Sequence, residues 1–152
     1  MSRKLFVMLI VWFSGFLCFA QNSQKVSEIL NKNEVTKGDA AYFTCVYKNL
    51  CAEDAVESDA FAVLQGNAVF DFAENANEVI SLSKACYLIA KTSDMKGGIF
   101  YSIFKNKRYA FREFKALGII PNTSDPDSKV TGAQLIALFN GFEQKGKTKW
   151  KD

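Results

Sequence analysis

Three segments of the chain share one hydrophobic and polar pattern. A β-branched apolar residue precedes a hydroxyl residue, and apolar residues then recur at helical spacing. The leading apolar residues are Val35, Ile80 and Val130, and the hydroxyl residues are Thr36, Ser81 and Thr131. A Ser or Thr side chain so placed accepts hydrogen bonds from the first turn of a helix, and the apolar residue before it favours a hydrophobic staple. The pattern therefore predicts three helices with N-caps at Thr36, Ser81 and Thr131.

The residue three positions after each hydroxyl distinguishes the three helix starts. Gln134 completes a capping box, Asp39 favours the positive end of the helix dipole, and Lys84 departs from both patterns. Each helix then carries one apolar stripe, which consists of Ala40, Phe43, Thr44 and Tyr47 in the first, Ala85, Leu88, Ile89 and Thr92 in the second, and Leu135, Leu138, Phe139 and Phe142 in the third. We therefore expect each helix to turn one face toward a shared core.

A loop separates each capped helix from another helix-forming stretch upstream. Residues 109–118 form the clearest of these stretches, because Gly118 suits the position after a helix end and Pro121 prevents continuation. Residues 59–66 are its counterpart, and residues 26–30 form a shorter first helix. The prediction is a single all-α domain over residues 21–144, with about six helices in three helix–loop–helix repeats.

The first 20 residues have the pattern of a secretory signal peptide. Arg3 and Lys4 supply the positive start, an apolar stretch follows, and small residues at positions 18 and 20 suit cleavage before Gln21. The apolar stretch spans about 13 residues, whereas a membrane-spanning helix needs ~20. The alternatives are an uncleaved anchor and a lipoprotein acylated at Cys18, against which stands the bulky Leu17. Residues 145–152 are predicted to form a basic flexible tail.

Histidine and cysteine usage narrows the possible chemistry. The chain has no histidine, which excludes Ser-His and Cys-His catalysis and histidine-bearing metal sites. Removal of the predicted signal peptide leaves Cys45, Cys51 and Cys86 in the mature chain, so at most one internal disulfide forms. Cys45 and Cys51 come within disulfide reach only if their helix ends near Leu50. The alternative is free thiols, with Cys45 and Cys86 as small buried apolar residues.

Charge is distributed unevenly along the chain. Residues 21–94 contain six basic and eleven acidic residues, whereas residues 95–152 contain eleven basic and five acidic residues. A basic C-terminal half favours an anionic surface, polymer or partner, and pairing between the two halves is the alternative. Nucleic acid is not an expected partner, because the mature chain is exported and close to neutral.

Residues 96–115 combine cations with aromatic side chains, a composition that suits a sugar or anionic polymer. The cations are Lys96, Lys105, Lys107, Arg108, Arg112 and Lys115. One structural interpretation is a helix whose aromatic stripe at positions 100, 104, 111 and 114 faces inward. The other is a hairpin, with a strand over residues 99–104 and a turn over residues 105–108.

One further arrangement carries a family resemblance. Leu117-Gly118-Ile119-Ile120 is followed by Val130-Thr131-Gly132-Ala133-Gln134, and this order resembles the repeat of the S-layer homology (SLH) module, a cell-envelope anchoring domain. The resemblance covers about residues 26–144. It implies three repeats in a pseudo-threefold arrangement that binds cell-wall glycan in the grooves between them. The family's Arg and Glu positions fall on Lys37 and Asp39 in the first copy. Lys37 and Asp39, together with Arg108 and Arg112 of the basic and aromatic stretch, are therefore the candidate ligand-binding residues.

The sequence thus favours an exported, non-catalytic module of the bacterial cell envelope that binds a wall polymer or a protein partner. The alternatives are a periplasmic helical adaptor or structural protein without glycan binding, and a hydrolase that uses carboxylates. A hydrolase would need two acids of residues 53–59 to face each other across a cleft, whereas a solvated helix start explains them more simply. No cofactor, metal or catalytic residue is predicted, and membrane contact is expected only through lipidation or the basic tail.

Overall fold

The computed structural model describes residues 24–52 and 54–146. The predicted signal peptide, and the part of the predicted tail from residue 147 onward, lie outside the described residues. The described part contains seven α-helical segments, which are α1 (residues 24–30), α2 (Lys37–Tyr47), α3 (Glu57–Gly66), α4 (Leu82–Thr92), α5 (Ile99–Phe104), α6 (Lys107–Ala116) and α7 (Gly132–Gly141). It contains isolated β-bridges but no extended strand. The all-α fold class is therefore confirmed.

The C-terminal boundary of the folded part differs from the prediction. A π-helical turn, Phe142–Gly146, continues directly from α7. Phe142 and Gly146 are both buried in it, and the ring of Phe142 stacks on that of Phe114 with centroids 5.6 Å apart. Residues 145 and 146 therefore belong to the helical domain and not to a flexible tail.

The predicted hydroxyl residues begin three of the helices. In α2, the Thr36 hydroxyl accepts from the Asp39 N–H (3.1 Å) and the Asp39 carboxylate accepts from the Thr36 N–H (3.0 Å). Thr131 and Gln134 form the same capping box at α7, at 3.2 and 3.0 Å. Ser81 is the N-cap of α4 but makes no side-chain cap hydrogen bond. The Ser81 hydroxyl lies 3.3 Å from the Ser83 hydroxyl instead. The Lys84 ammonium has no acceptor for the Ser81 N–H, so the reciprocal hydrogen bond of a capping box is missing here as well.

The three segments that precede these helices meet in the core. Val35, Ile80 and Val130 are each completely buried. The Val35 N–H donates to the Val130 carbonyl, and the Ile80 N–H donates to the Val35 carbonyl, both at 2.9 Å. Isolated antiparallel bridges join Thr36 to Val79 and Ser81 to Lys129. The segments thus lie side by side without forming a sheet.

The first backbone N–H of each capped helix donates a hydrogen bond to the loop that precedes another capped helix. The three hydrogen bonds form a cycle, which we call the cap ring. The Lys37 N–H donates to Glu78 before α4 (2.8 Å), and the Leu82 N–H donates to Ser128 before α7 (2.8 Å). The Gly132 N–H donates to the carbonyl of Lys32, before α2, at 2.9 Å. Each of these orphan helix donors is satisfied by the loop that leads into another capped helix. The division of the chain into three equivalent repeats stays a prediction.

Gly132 lies where the cap ring meets α1. A Cβ atom at this position would lie 1.8 Å from the backbone carbonyl oxygen of Ile29. The start of α7 therefore approaches the backbone of α1 so closely that only glycine fits. This packing requirement explains why the first residue of α7 is a glycine, whereas α2 and α4 begin with Lys37 and Leu82.

Residues 96–115 adopt neither of the two structures considered from the sequence. Lys105 is left-handed (φ 39°) and ends α5, and the Asn106 side chain accepts from the Tyr109 N–H (3.1 Å) to begin α6. The hairpin interpretation is wrong, because residues 99–104 are helical. The single inward-facing aromatic stripe is also wrong, because Phe100 and Phe104 are exposed while Phe111 and Phe114 are buried.

The remaining packing brings the helices together in pairs around one core. α4 packs on α6, α2 packs on α3, and α5 packs on α6. The core contains the buried aromatic residues Tyr42, Phe61, Phe70, Tyr101, Phe111, Phe114, Phe139 and Phe142. Because α5 contacts mainly α6, most of its own surface is left open.

Candidate functional site

Helix α5 exposes more apolar surface than its length would suggest. Its sequence is Ile-Phe-Tyr-Ser-Ile-Phe, and Ile99, Phe100, Ile103 and Phe104 are between 56% and 78% exposed. Tyr101 alone is buried, with 1% exposure, and attaches the helix to the core. Single exposed apolar residues are ordinary in proteins, but neighbouring ones on one helix are typical of an interaction site.

The aromatic rings beside α5 are ordered by stacking. The Tyr109 ring of α6 stacks on Phe100 (centroids 5.7 Å apart) and on Phe104 (5.3 Å). The Arg112 guanidinium lies 5.9 Å from the ring centroids of both Phe100 and Tyr109. These contacts hold the rings in place before any ligand binds, which reduces the entropy lost on binding.

Cations border this apolar area along the chain. Lys96 precedes α5, Lys105 ends it, and Lys107 and Arg108 begin α6; all four are exposed. Among the salt bridges of the described residues, none involves these four side chains or Arg112. The single acidic residue between positions 95 and 115 is Glu113. We call the exposed side chains of residues 96–112 the α5–α6 surface, which has an apolar centre and a positive border.

The sequence-predicted residues fall into two groups. Arg108 and Arg112 lie on the α5–α6 surface. Lys37 and Asp39 lie instead in the first turn of α2. Lys115, the sixth cation of the basic stretch, donates to the carbonyls of Asn122 and Ser124 and so holds the loop after α6.

Lys37 is part of a partly buried ion cluster centred on Glu74. Its ammonium contacts Glu74 at 2.8 Å and also pairs with Glu78, and Lys84 contacts Glu74 at 2.6 Å. Partial burial alone would raise the pKa of the Glu74 carboxyl, but hydrogen bonds from Lys37 and Lys84 outweigh it and lower that pKa to about 2. Burial alone would lower the pKa of the Lys37 ammonium, but its hydrogen bonds to Glu74 and Glu78 outweigh this effect and raise that pKa. Both cations are therefore neutralised within the protein.

Asp39 serves the structure of α2. Its side chain is almost completely buried, and its carboxylate accepts from the Lys32 ammonium (2.6 Å) as well as from the Thr36 N–H. A carboxylate with these two partners contributes a capping box and a charge at the helix start. Little of this side chain is left for a ligand to reach.

The predicted acidic stretch lies at the start of α3. Glu57 and Asp59 occupy the first turn of that helix, and Glu57 pairs with Lys25 at 3.5 Å. Residue 53 lies outside the described residues. Acidic side chains in a first turn stabilise the helix dipole, which accounts for this stretch without a catalytic role.

The sequence did not indicate which side of α5 is exposed. Positions 99, 100, 103 and 104 have the spacing of one helical face, and this spacing was the signal that could have been used. It was obscured because isoleucine and phenylalanine also favour strands. The central role of Glu74 carried no signal, because its two lysine partners come from different helices.

The described residues show neither a metal-binding cluster nor a membrane-spanning helix. Among the described residues, no group of three or more acidic or cysteine side chains is placed to hold a metal ion. No helix in the described ranges is long and apolar enough to span a bilayer. No family model, curated protein or solved structure matches the chain.

Proposed function

We propose that this chain is an exported, non-catalytic module of the bacterial cell envelope that binds a protein partner through its α5–α6 surface. The observation that carries the proposal is the exposure of Ile99, Phe100, Ile103 and Phe104 on one short helix. An apolar centre with a polar border is the usual anatomy of a protein-binding site. The positive border favours a partner with an apolar contact residue and acidic groups around it.

A protein partner fits this surface better than a wall glycan does. Sugars bind by stacking on aromatic rings and by hydrogen bonds, and the aliphatic side chains of Ile99 and Ile103 contribute neither. Lys37 and Asp39, the groups that the SLH resemblance assigns to glycan, already have charged partners within the protein. The α5–α6 surface therefore supports the adaptor form of the hypothesis, in which the wall polymer is not the ligand.

We further propose an SLH-like arrangement of three helix–loop–helix units around the cap ring. Its support is the cyclic order of the hydrogen bonds, in which each capped helix receives a carbonyl from the loop before another one. The proposal of export has a separate basis, the charge and apolar pattern of residues 1–20. Neither proposal depends on the identity of the partner.

Site-specific photo-cross-linking in cells tests the proposed surface. A photoreactive phenylalanine analogue replaces Ile103, and in a matched strain it replaces Val63, an exposed apolar residue on α3. We expect a discrete covalent protein adduct from position 103 and none from position 63. We also expect the yield to fall at least several-fold in the charge-reversed variant K107E/R108E, because the border attracts an acidic partner.

The control for charge is Lys129→Glu, since Lys129 is exposed and pairs with Glu34 at the surface. This variant should cross-link as the parent does. Adducts with phospholipid or wall fragments in place of protein, or equal adducts from positions 103 and 63, would contradict the proposed function.

A further inference from the structure

The end of α2 brings two cysteines together. The helix ends at Tyr47, and Asn49 adopts a left-handed conformation (φ 54°) that reverses the chain. The Leu50 N–H then donates to the carbonyl of Cys45 at 2.8 Å, so the next residue, Cys51, lies over the last turn of the helix. This is the early helix end that disulfide formation between these two residues requires.

The two cysteines differ in exposure. Cys45 is completely buried, and its Sγ donates to the carbonyl of Ala60 at 3.5 Å. Cys51 is partly exposed and packs against the core. Burial, and then the hydrogen bond with the Cys51 thiol, raise the pKa of the Cys45 thiol to about 12. Cys51 is therefore the thiol that meets an external oxidant first.

We infer that Cys45 and Cys51 form a disulfide when the chain meets a disulfide-bearing oxidant. The Cys51 thiolate, which has released its proton to solvent, attacks one sulfur of the oxidant and displaces the first oxidant thiolate. The Cys45 sulfur then loses its proton and attacks Cys51 in the mixed disulfide, which displaces the second thiolate. The two cysteines lose two electrons and two protons, and the oxidant disulfide becomes two thiols.

Cys86 is the residue that the reaction should leave unchanged. It is completely buried in α4, and burial raises the pKa of its thiol. The three described cysteines carry free thiols, so the structure shows the reduced form. Occurrence of the cross-link in cells rests on the proposed export, because cytosolic thiols are kept reduced.

Oxidation of the purified full chain tests the pair independently of export. The protein is incubated with oxidised glutathione, its remaining thiols are alkylated, and it is digested with trypsin in denaturant without reduction. Trypsin cleaves after Lys48, between the two cysteines. We expect the peptide of residues 38–48 to be joined to that of residues 49–84, and reduction to separate them. The oxidised protein should also melt about 5 °C higher, because the cross-link restricts the unfolded chain.

Two variants distinguish this pair from other linkages. Cys51→Ser should abolish the joined peptides, whereas Cys86→Ser should leave them unchanged. Linkage of Cys45 to Cys18 or Cys86, or three alkylated thiols at positions 45, 51 and 86, would overturn the proposal. If the joined peptides form with the purified protein but are missing from protein isolated from cells, the pair stands and the proposed export fails.

Discussion

Glu74 shows how a single residue joins parts of the chain that are distant in sequence. It lies in the loop between α3 and α4 and accepts from lysines at the starts of α2 and α4. A hydrogen bond between charged groups that is partly shielded from water stabilises a protein by about 1.5–3 kcal/mol. Exposed ion pairs contribute ~0–1 kcal/mol, so Glu74 should matter more than any surface pair.

We predict that Glu74→Gln lowers the free energy of unfolding at pH 7 by about 1–2 kcal/mol. Folding lowers the pKa of Glu74 from its ordinary value of 4.5 to about 2. The contribution of the ionised Glu74 to the free energy of unfolding is therefore complete above about pH 4.5 and is lost as pH falls toward 2. Urea unfolding at pH 7 and at pH 2 checks both points, because the difference between the two proteins should shrink at the lower pH.

The control for this prediction is Glu34→Gln, which removes a surface pair with Lys129 whose two side chains are both largely exposed. We expect a change below about 0.5 kcal/mol. An equal loss in the two variants, or a loss in Glu74→Gln that does not depend on pH, would argue against the ion cluster.

At the scale of the element, α5 is unusual because its apolar face is turned to solvent. Its six residues pack mainly on α6, and only Tyr101 enters the core. Such a helix contributes little to the free energy of folding through its exposed side chains. Stability of the fold therefore does not account for its exposed apolar residues.

We predict that the double variant I99S/I103S unfolds within about 0.5 kcal/mol of the parent, because the two side chains are largely exposed. Tyr101→Ser should instead cost about 3 kcal/mol or more, since it removes a buried ring. Denaturant unfolding measures both changes. A large loss in the double variant would show that the apolar face of α5 is covered within the protein.

The difference between what the sequence predicts and what it misses is clearest among these elements. The caps of α2 and α7 depend on residues three positions apart, so Thr36 and Thr131 can be identified from the sequence alone. The break between α5 and α6 depends on a left-handed lysine, which no propensity favours. Exposure of Ile103 depends on which parts of the fold pack beside it, and the composition of the segment does not determine that packing. For that reason the candidate surface emerges only from the structure.

The predicted ligand residues illustrate the same limit. Their positions in a motif favour Lys37 and Asp39 as ligand residues, but both have partners elsewhere in the fold that satisfy their charges. Arg108 and Arg112 belong to a basic and aromatic stretch of the sequence, and they lie on the exposed surface. A charged side chain is available to a ligand only when no other group of the folded protein pairs with it.

At the scale of the whole molecule, the packing of the helices depends on the cap ring. It buries Val35, Ile80 and Val130 together and satisfies the first amides of three helices. α4 extends from the cap ring and packs on α6, which carries α5. The α5–α6 surface is therefore supported by the same packing that closes the cap ring.

The most direct test of the cap ring is the free energy of unfolding of Gly132→Ala, measured beside Gly66→Ala. A methyl group at position 132 would meet the Ile29 carbonyl oxygen at 1.8 Å, whereas one at position 66 would meet no atom within 4 Å. We predict a loss of about 3 kcal/mol for Gly132→Ala and a gain of up to about 1 kcal/mol for Gly66→Ala. Equal stability of the two variants would contradict the closure of α7 against α1, and with it the cap ring.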